Sequence, residues 1–172
     1  VLPRRKEIAP RLRDFEKDGD LTIVQRPGQD VVAVADILCK VRDAGLLPEK
    51  NAIGVDRHGI GALISELDSP GRDFQADQIQ GIPQGYQLMG AIKDTERMLA
   101  GGDMQHGGSP LMNWCVGNAR VEPKGNAILI TKAISGSAKI DPLMALFDAA
   151  ALMALNPDGL GASFWETERA VA

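Results

Sequence analysis

Three aspartates in this 172-residue chain are of the type and in the places where chemistry can be done. Asp56 closes the apolar run AIGVD (52–56). Asp141 opens SAKIDPLMALFDAAALMALNP (137–157), held between Ile140 and Pro142. Asp148 follows seven residues later, two helical turns on and so nearly on the same face. Two carboxylates brought together repel each other, and a shared divalent metal resolves that conflict with hard oxygen ligands. A metal held in this way activates water and stabilises the leaving oxygen in phosphodiester cleavage. Lys139 and Lys132, close to Asp141 in sequence, are cations suited to phosphate oxygens.

Each acid also has a purely structural reading. An acid that ends a strand makes an Asx turn or caps the next helix, which serves for Asp56. Asp before Pro is an ordinary helix start, which serves for Asp141. Asp148 is expected to point outward between Leu146 and Ala149, with an auxiliary ligand role as the alternative. His58 and His106 could meet metal or phosphate, or act as surface and capping residues. There is no HxxxH or HExxH spacing to build a histidine-dominated zinc site.

The elements that must position these residues follow from pattern and punctuation. Residues 3–17 suit a short helix that Pro10 interrupts or restarts. LTIVQ (21–25) reads as a strand closed by Arg26-Pro27-Gly28. From Asp30, a candidate N-cap, Val34, Ile37, Leu38 and Val41 recur at helical spacing up to Gly45. AIGVD is a strand, GALISEL a helix stopped before Pro70, and QIQGIPQ (78–84) another short strand. Leu88, Ile92 and Leu99 mark one side of a helix over 86–100 that ends at Gly101-Gly102. SPLMNWCVGNARV (109–121) accepts Pro110 in a first turn and is expected to be helical. Lys124-Gly125-Asn126 is a turn, AILITK (127–132) the clearest strand, and ISGSA (134–138) a link into the last helix. This alternation predicts an α/β domain with a parallel or mixed sheet, whose functional residues gather where strands end and helices begin.

Composition narrows the function. A 44% hydrophobic and 24% charged chain of this length builds one ordinary soluble core. A formal net charge of −4 gives no global attraction to polyanions, so nucleic acid would have to meet a local basic patch. Arg4, Arg5, Lys6, Arg11, Arg13 and Lys17 could form one, or simply a solvated helix face. Cys39 and Cys115 are far apart without CxxC spacing, and read as buried free thiols in a reducing compartment. P-loop, dinucleotide and GxSxG signatures are absent from the sequence. The opening VLPRRKEIAP, with no initiator Met, reads as an internal cut through a larger polypeptide.

Taken in order, LPRRKEIAPRLRDFEKDGDLTIVQRPGQDVV, IGVDRHG, IPQGYQLMGAIKDTERML, MQHGGSPLMNWCVGNARVEPKGNAILITK and SAKIDPLMALFDAAALMAL resemble the C-terminal nuclease domain of the phage terminase large subunit, closest to the HK97-like branch. The resemblance implies an RNase H-like mixed sheet flanked by helices. It runs over residues 1–157 as a partial nuclease domain, with 158–172 as a C-terminal tail. It implies a metal-dependent endonuclease that cuts concatemeric double-stranded DNA with Mg2+ or Mn2+, in a two-metal site. Asp56 and Asp141 take metal positions, with Asp148 as a further candidate, and Lys139 and His106 join them as catalytic candidates. Lys132, Lys139, Asn118, Arg120 and Lys124 are the DNA-binding candidates, while Trp114 is expected to pack. Portal protein and small terminase subunit would be partners of the whole protein, in the cytoplasm of a bacterial host. The family's first metal-binding Asp lies upstream of everything in this sequence, so the isolated chain is expected to cut weakly or not at all. The alternative is a non-catalytic interaction module of the same packaging complex, in which the acids only cap helices.

Overall fold

A computed structural model of the chain describes residues 5–132 and 139–155. They form a mixed α/β protein. Six α-helices run in order with four strands: α1 (Ala9–Lys17), α2 (Gln29–Asp43), β1 (Ile53–Asp56), α3 (Gly61–Leu67), β2 (Ile79–Ile82), α4 (Met89–Gly101), α5 (Pro110–Gly117), β3 (Ala119–Lys124), β4 (Ala127–Lys132) and α6 (Asp141–Met153). The described strands pair as two two-stranded sheets, β1 with β2 and β3 with β4. No helix among the described residues is long and apolar enough to cross a membrane. The chain divides into two compact units, residues 1–24 with 84–150 and residues 25–83 with 151–172.

In the unit containing residues 25–83, β1 and β2 are parallel, with Ile53 opposite Ile79 and Asp56 opposite Ile82. Parallel neighbours cannot be joined by a hairpin, and α3 supplies the crossover. Alternation along β1 sends Ile53 and Val55 into the core and leaves Asp56 exposed at the strand's carboxyl end. The core gathers Ala35, Leu47, Ile53, Val55, Leu67 and Phe74, with Leu38, Cys39 and Val41 packed against it. The buried side of α2 is thus centred on Ala35, while Val34 and Ile37 face solvent. Arg72 ties α2 to α3 by ion pairs to Asp36 (2.9 Å) and Glu66 (3.0 Å). The guanidinium of Arg42 lies 4.8 Å over the Phe74 ring and also donates to the Arg72 carbonyl.

In the other unit, Pro10 sits in the first turn of α1, so the proline starts the helix there. Phe15 on α1 meets Trp114 on α5 at 5.6 Å between ring centroids, the packing role expected of this tryptophan. Strands β3 and β4 form an antiparallel hairpin with Ala119 opposite Lys132 and Lys124 opposite Ala127. A 3-10 turn at Gly85–Leu88 packs against β4 and leads into α4, which buries Ala91, Ile92 and Thr95 and ends at Gly102 in the left-handed conformation. The expected side of α4 is inward at Leu88 and Ile92, but Leu99 is exposed.

Three local expectations are corrected. LTIVQ forms no strand. The N–H groups of Asp20 and Leu21 both donate to the Phe15 carbonyl (2.9 and 3.2 Å), so this segment closes α1 and loses ladder donors. The helix expected over 109–121 stops at Gly117, and Ala119–Lys124 becomes β3, because pairing with β4 outweighs the helical pattern. Asp30 lies within the first turn of α2, whose N-cap is Gly28 at φ 86°. There the side-chain oxygen of Gln29 accepts from the N–H groups of Gln25 and Arg26. Arg4, the ISGSA link, both ends of the 137–157 stretch and the 158–172 tail lie outside the described residues.

Candidate functional site

Asp56 stands at the carboxyl end of β1 with its side chain half exposed. Its Oδ1 accepts from the His58 backbone N–H at 3.1 Å and meets His58 Nδ1 at 3.1 Å. The backbone bond is the main cause that holds the Asp56 carboxyl below its ordinary range; burial opposes it, and the imidazole adds to the lowering. The strand therefore ends in a solvent-facing anion built into an Asx turn. Because α3 starts at Gly61 behind an Ile60 cap, Asp56 does not cap that helix. His58 is 92% exposed, and Arg57 beside it donates from Nε to the Gly81 carbonyl at 3.2 Å.

Asp141 is the first residue of α6, and its carboxylate is 67% exposed. Lys139 Nζ lies 3.5 Å from Asp141 Oδ2. Ile140, between them, is buried and anchors the segment, and its carbonyl accepts from Met144 N at 3.0 Å. Asn118, at the carboxyl end of α5, donates from Nδ2 to the Lys139 carbonyl at 3.1 Å. Cys115, one turn earlier on α5, is fully buried. Burial pushes its thiol up, and the charge of Asp141 adds to the effect.

Asp148 overturns the outward orientation expected for it. It is buried at 7% exposure and accepts a 2.8 Å hydrogen bond on Oδ1 from Gln84 Nε2. Both aspartates keep the same helical face, but Asp141 sits where the helix emerges and Asp148 two turns inside. A carboxylate at that depth needs a hydrogen-bond partner, and Gln84 is one. His106 is exposed in the loop before α5, where its Nδ1 accepts from Gly108 N at 3.2 Å.

The remaining basic candidates lie on the β3–β4 hairpin, all exposed. Because side chains alternate along a strand, Lys132 shares a face with Ala119, Val121 and Ile130, whereas Arg120 and Lys124 share the opposite face with Thr131 and Glu122. Glu122 Oε1 accepts from Thr131 Oγ1 at 2.9 Å on that second face. The three cations are therefore not presented on one side of the hairpin.

Two residues that the sequence reading passed over support this site. Asp20 Oδ2 accepts from Ser109 Oγ (2.9 Å) and from Leu111 N (3.1 Å), so a carboxylate from the segment after α1 caps α5. Gln84 holds Asp148. The Ser-Pro start of α5 signals that a cap is needed there, but the sequence carries no sign that Asp20, remote in the chain, would provide it.

Among the described residues, no group of three or more His, Cys, Asp or Glu side chains gathers in a way that would hold a metal ion. Asp56 and Asp141 belong to different compact units. Each offers a solvent-facing oxygen donor suited to a hard divalent cation, which completes its shell with water and phosphate oxygens. Comparison with protein-family models, with curated proteins and with solved structures found no match.

Proposed function

We propose that this chain is the greater part of the metal-dependent DNA endonuclease domain of a phage DNA-packaging terminase, with an RNase H-like core, serving in a bacterial cytoplasm. The observation that carries the reading is the ordered run of motifs, in which the two acids stand at the end of an apolar strand and the start of an apolar helix. The lowered Asp56 carboxyl and the exposure of Asp141 beside Lys139 support it. Asp56 and Asp141 would each offer a carboxylate oxygen to Mg2+ or Mn2+, and a bound ion would supply an activated water for attack on phosphorus and a charge to stabilise the leaving oxygen. Lys139, paired with Asp141, would meet a phosphate oxygen of the DNA. Arg120 and Lys124 would meet the DNA backbone from one face of the hairpin and Lys132 from the other, and His106 would lie at the substrate from the loop before α5.

A thermal-shift titration tests this reading. Mn2+ or Mg2+ at 100 times its dissociation constant stabilises a specific site by about 2.7 kcal/mol. Wild-type chain should gain melting temperature with the ion, and Asp56→Ala or Asp141→Ala should gain much less. One observation favours a second reading, a non-catalytic packaging module: Asp56 Oδ1 is already engaged by two His58 groups, as a turn-forming acid would be. That reading predicts no specific response to divalent ions in any of the three proteins.

A further inference from the structure

Asn118, a DNA-binding candidate by its motif, makes a contact inside the protein. It is half-buried at the end of α5, where its own N–H bonds back to the Trp114 and Cys115 carbonyls (3.1 and 3.2 Å). Its backbone is therefore fixed by the helix, and its carboxamide is aimed by that fixed backbone. The Nδ2 group is spent on the Lys139 carbonyl, the peptide two residues before Asp141. Helix α5 is held at its other end by Asp20 through Ser109 Oγ and Leu111 N. Its middle is pinned by the buried Cys115 and by the Phe15–Trp114 contact. The result is a short strut, fixed at one end by Asp20 and gripping the entrance of α6 at the other.

We propose that Asn118 is a positioning residue for the Lys139–Asp141 pair, acting through the Lys139 carbonyl. The Ile140 carbonyl takes a helical bond from Met144 N, whereas the Lys139 carbonyl, one residue earlier, is met by Asn118 from α5. Fixing the Lys139 peptide sets the direction in which the Lys139 side chain leaves the backbone. It also sets the exit of Asp141, one buried residue further on. Without the carboxamide, the Ile140 anchor remains, but the peptide before it can rotate, and the 3.5 Å approach of Lys139 Nζ to Asp141 Oδ2 is no longer imposed. The consequence for metal or phosphate rests on the nuclease reading, whereas the positioning itself does not.

Two substitutions separate the possibilities. Asn118→Leu keeps the branched shape and removes the donor, and Asn118→Gln keeps a donating carboxamide on a longer stem. Amide hydrogen exchange in the full chain reads the first turn of α6 at Met144, whose N–H is bonded to Ile140. Loss of one hydrogen bond at that end should speed Met144 exchange about 5- to 10-fold in Asn118→Leu. Asn118→Gln should restore most of the protection, and Ile130 in the hairpin should exchange alike in all three proteins. The Asp141 carboxyl carbon signal should also move in Asn118→Leu and return in Asn118→Gln. Unchanged Met144 exchange and an unmoved Asp141 signal in Asn118→Leu would overturn the inference. So would equal acceleration at Met144 and Ile130, which would mean general destabilisation. Mn2+ titration of the same proteins is the separate arm: a wild-type chain that takes no Mn2+ refutes the nuclease reading, while the exchange data still decide the role of Asn118.

Discussion

Replacing Asp20 by alanine should destabilise the unit that contains α5. Its Oδ2 accepts two hydrogen bonds, from Ser109 Oγ at 2.9 Å and from Leu111 N at 3.1 Å, at the start of a helix only two turns long. Loss of an N-terminal cap costs about 1 kcal/mol, and a hydrogen bond to a charged acceptor is worth about 1.5–3 kcal/mol. Asp20 is only half-buried, so water compensates part of the loss and the low end applies. The expected destabilisation is about 2 kcal/mol. With a urea dependence of about 1–3 kcal/mol per molar, the midpoint should fall by roughly 1 M. Asp20→Asn keeps an oxygen acceptor without the charge and should recover about half of the loss. In a double-mutant cycle with Ser109→Ala, the two residues should couple by about 1 kcal/mol. Urea unfolding followed by circular dichroism measures all of this. A midpoint shift in Asp20→Ala no larger than that of an exposed surface change, or additive behaviour with Ser109→Ala, would refute the capping role.

The other expectations concern the acids. Asp56 has a lowered native pKa, so its contribution is complete above its ordinary value of 3.8 and is lost as pH falls through the lowered value. The difference in melting temperature between wild type and Asp56→Ala should therefore be constant above about pH 5 and shrink in more acidic solution; a difference that grows on acidification would contradict the His58 bond as its cause. Gln84→Ala removes a donor from the buried Asp148 and should cost about 1–3 kcal/mol in urea unfolding. Its replacement by alanine should cost clearly more than that of an exposed glutamine such as Gln87.

The sequence made the backbone elements legible where the local signal and the tertiary outcome agree. The apolar runs at Ile53–Asp56 and Ala127–Lys132, the Ser-Pro start of α5 and the glycine stop of α4 are of this kind. It misled where a long-range partner decides. Ala119–Val121 continues a helical pattern but joins β4, and LTIVQ has strand composition but spends its first donor, the Leu21 N–H, on closing α1. The site divides in the same way. Asp56 and Asp141 stand out from sequence because each interrupts an apolar run at an element boundary. Asp148 keeps the same period as Asp141, and spacing alone could not say that one emerges from the packing and the other lies inside it. The supports were invisible for the same reason: Asp20 and Gln84 act on Ser109, Leu111 and Asp148, far along the chain.

The claim that Asp56 and Asp141 bind divalent metal is tested most directly by paramagnetic broadening of nuclear magnetic resonance signals with substoichiometric Mn2+. The amides of Asp56 and Arg57 should broaden and lose the effect in Asp56→Ala, and the amide of Asp141 should broaden and lose it in Asp141→Ala. Broadening at neither acid, or broadening that survives removal of the carboxylate, would contradict the claim.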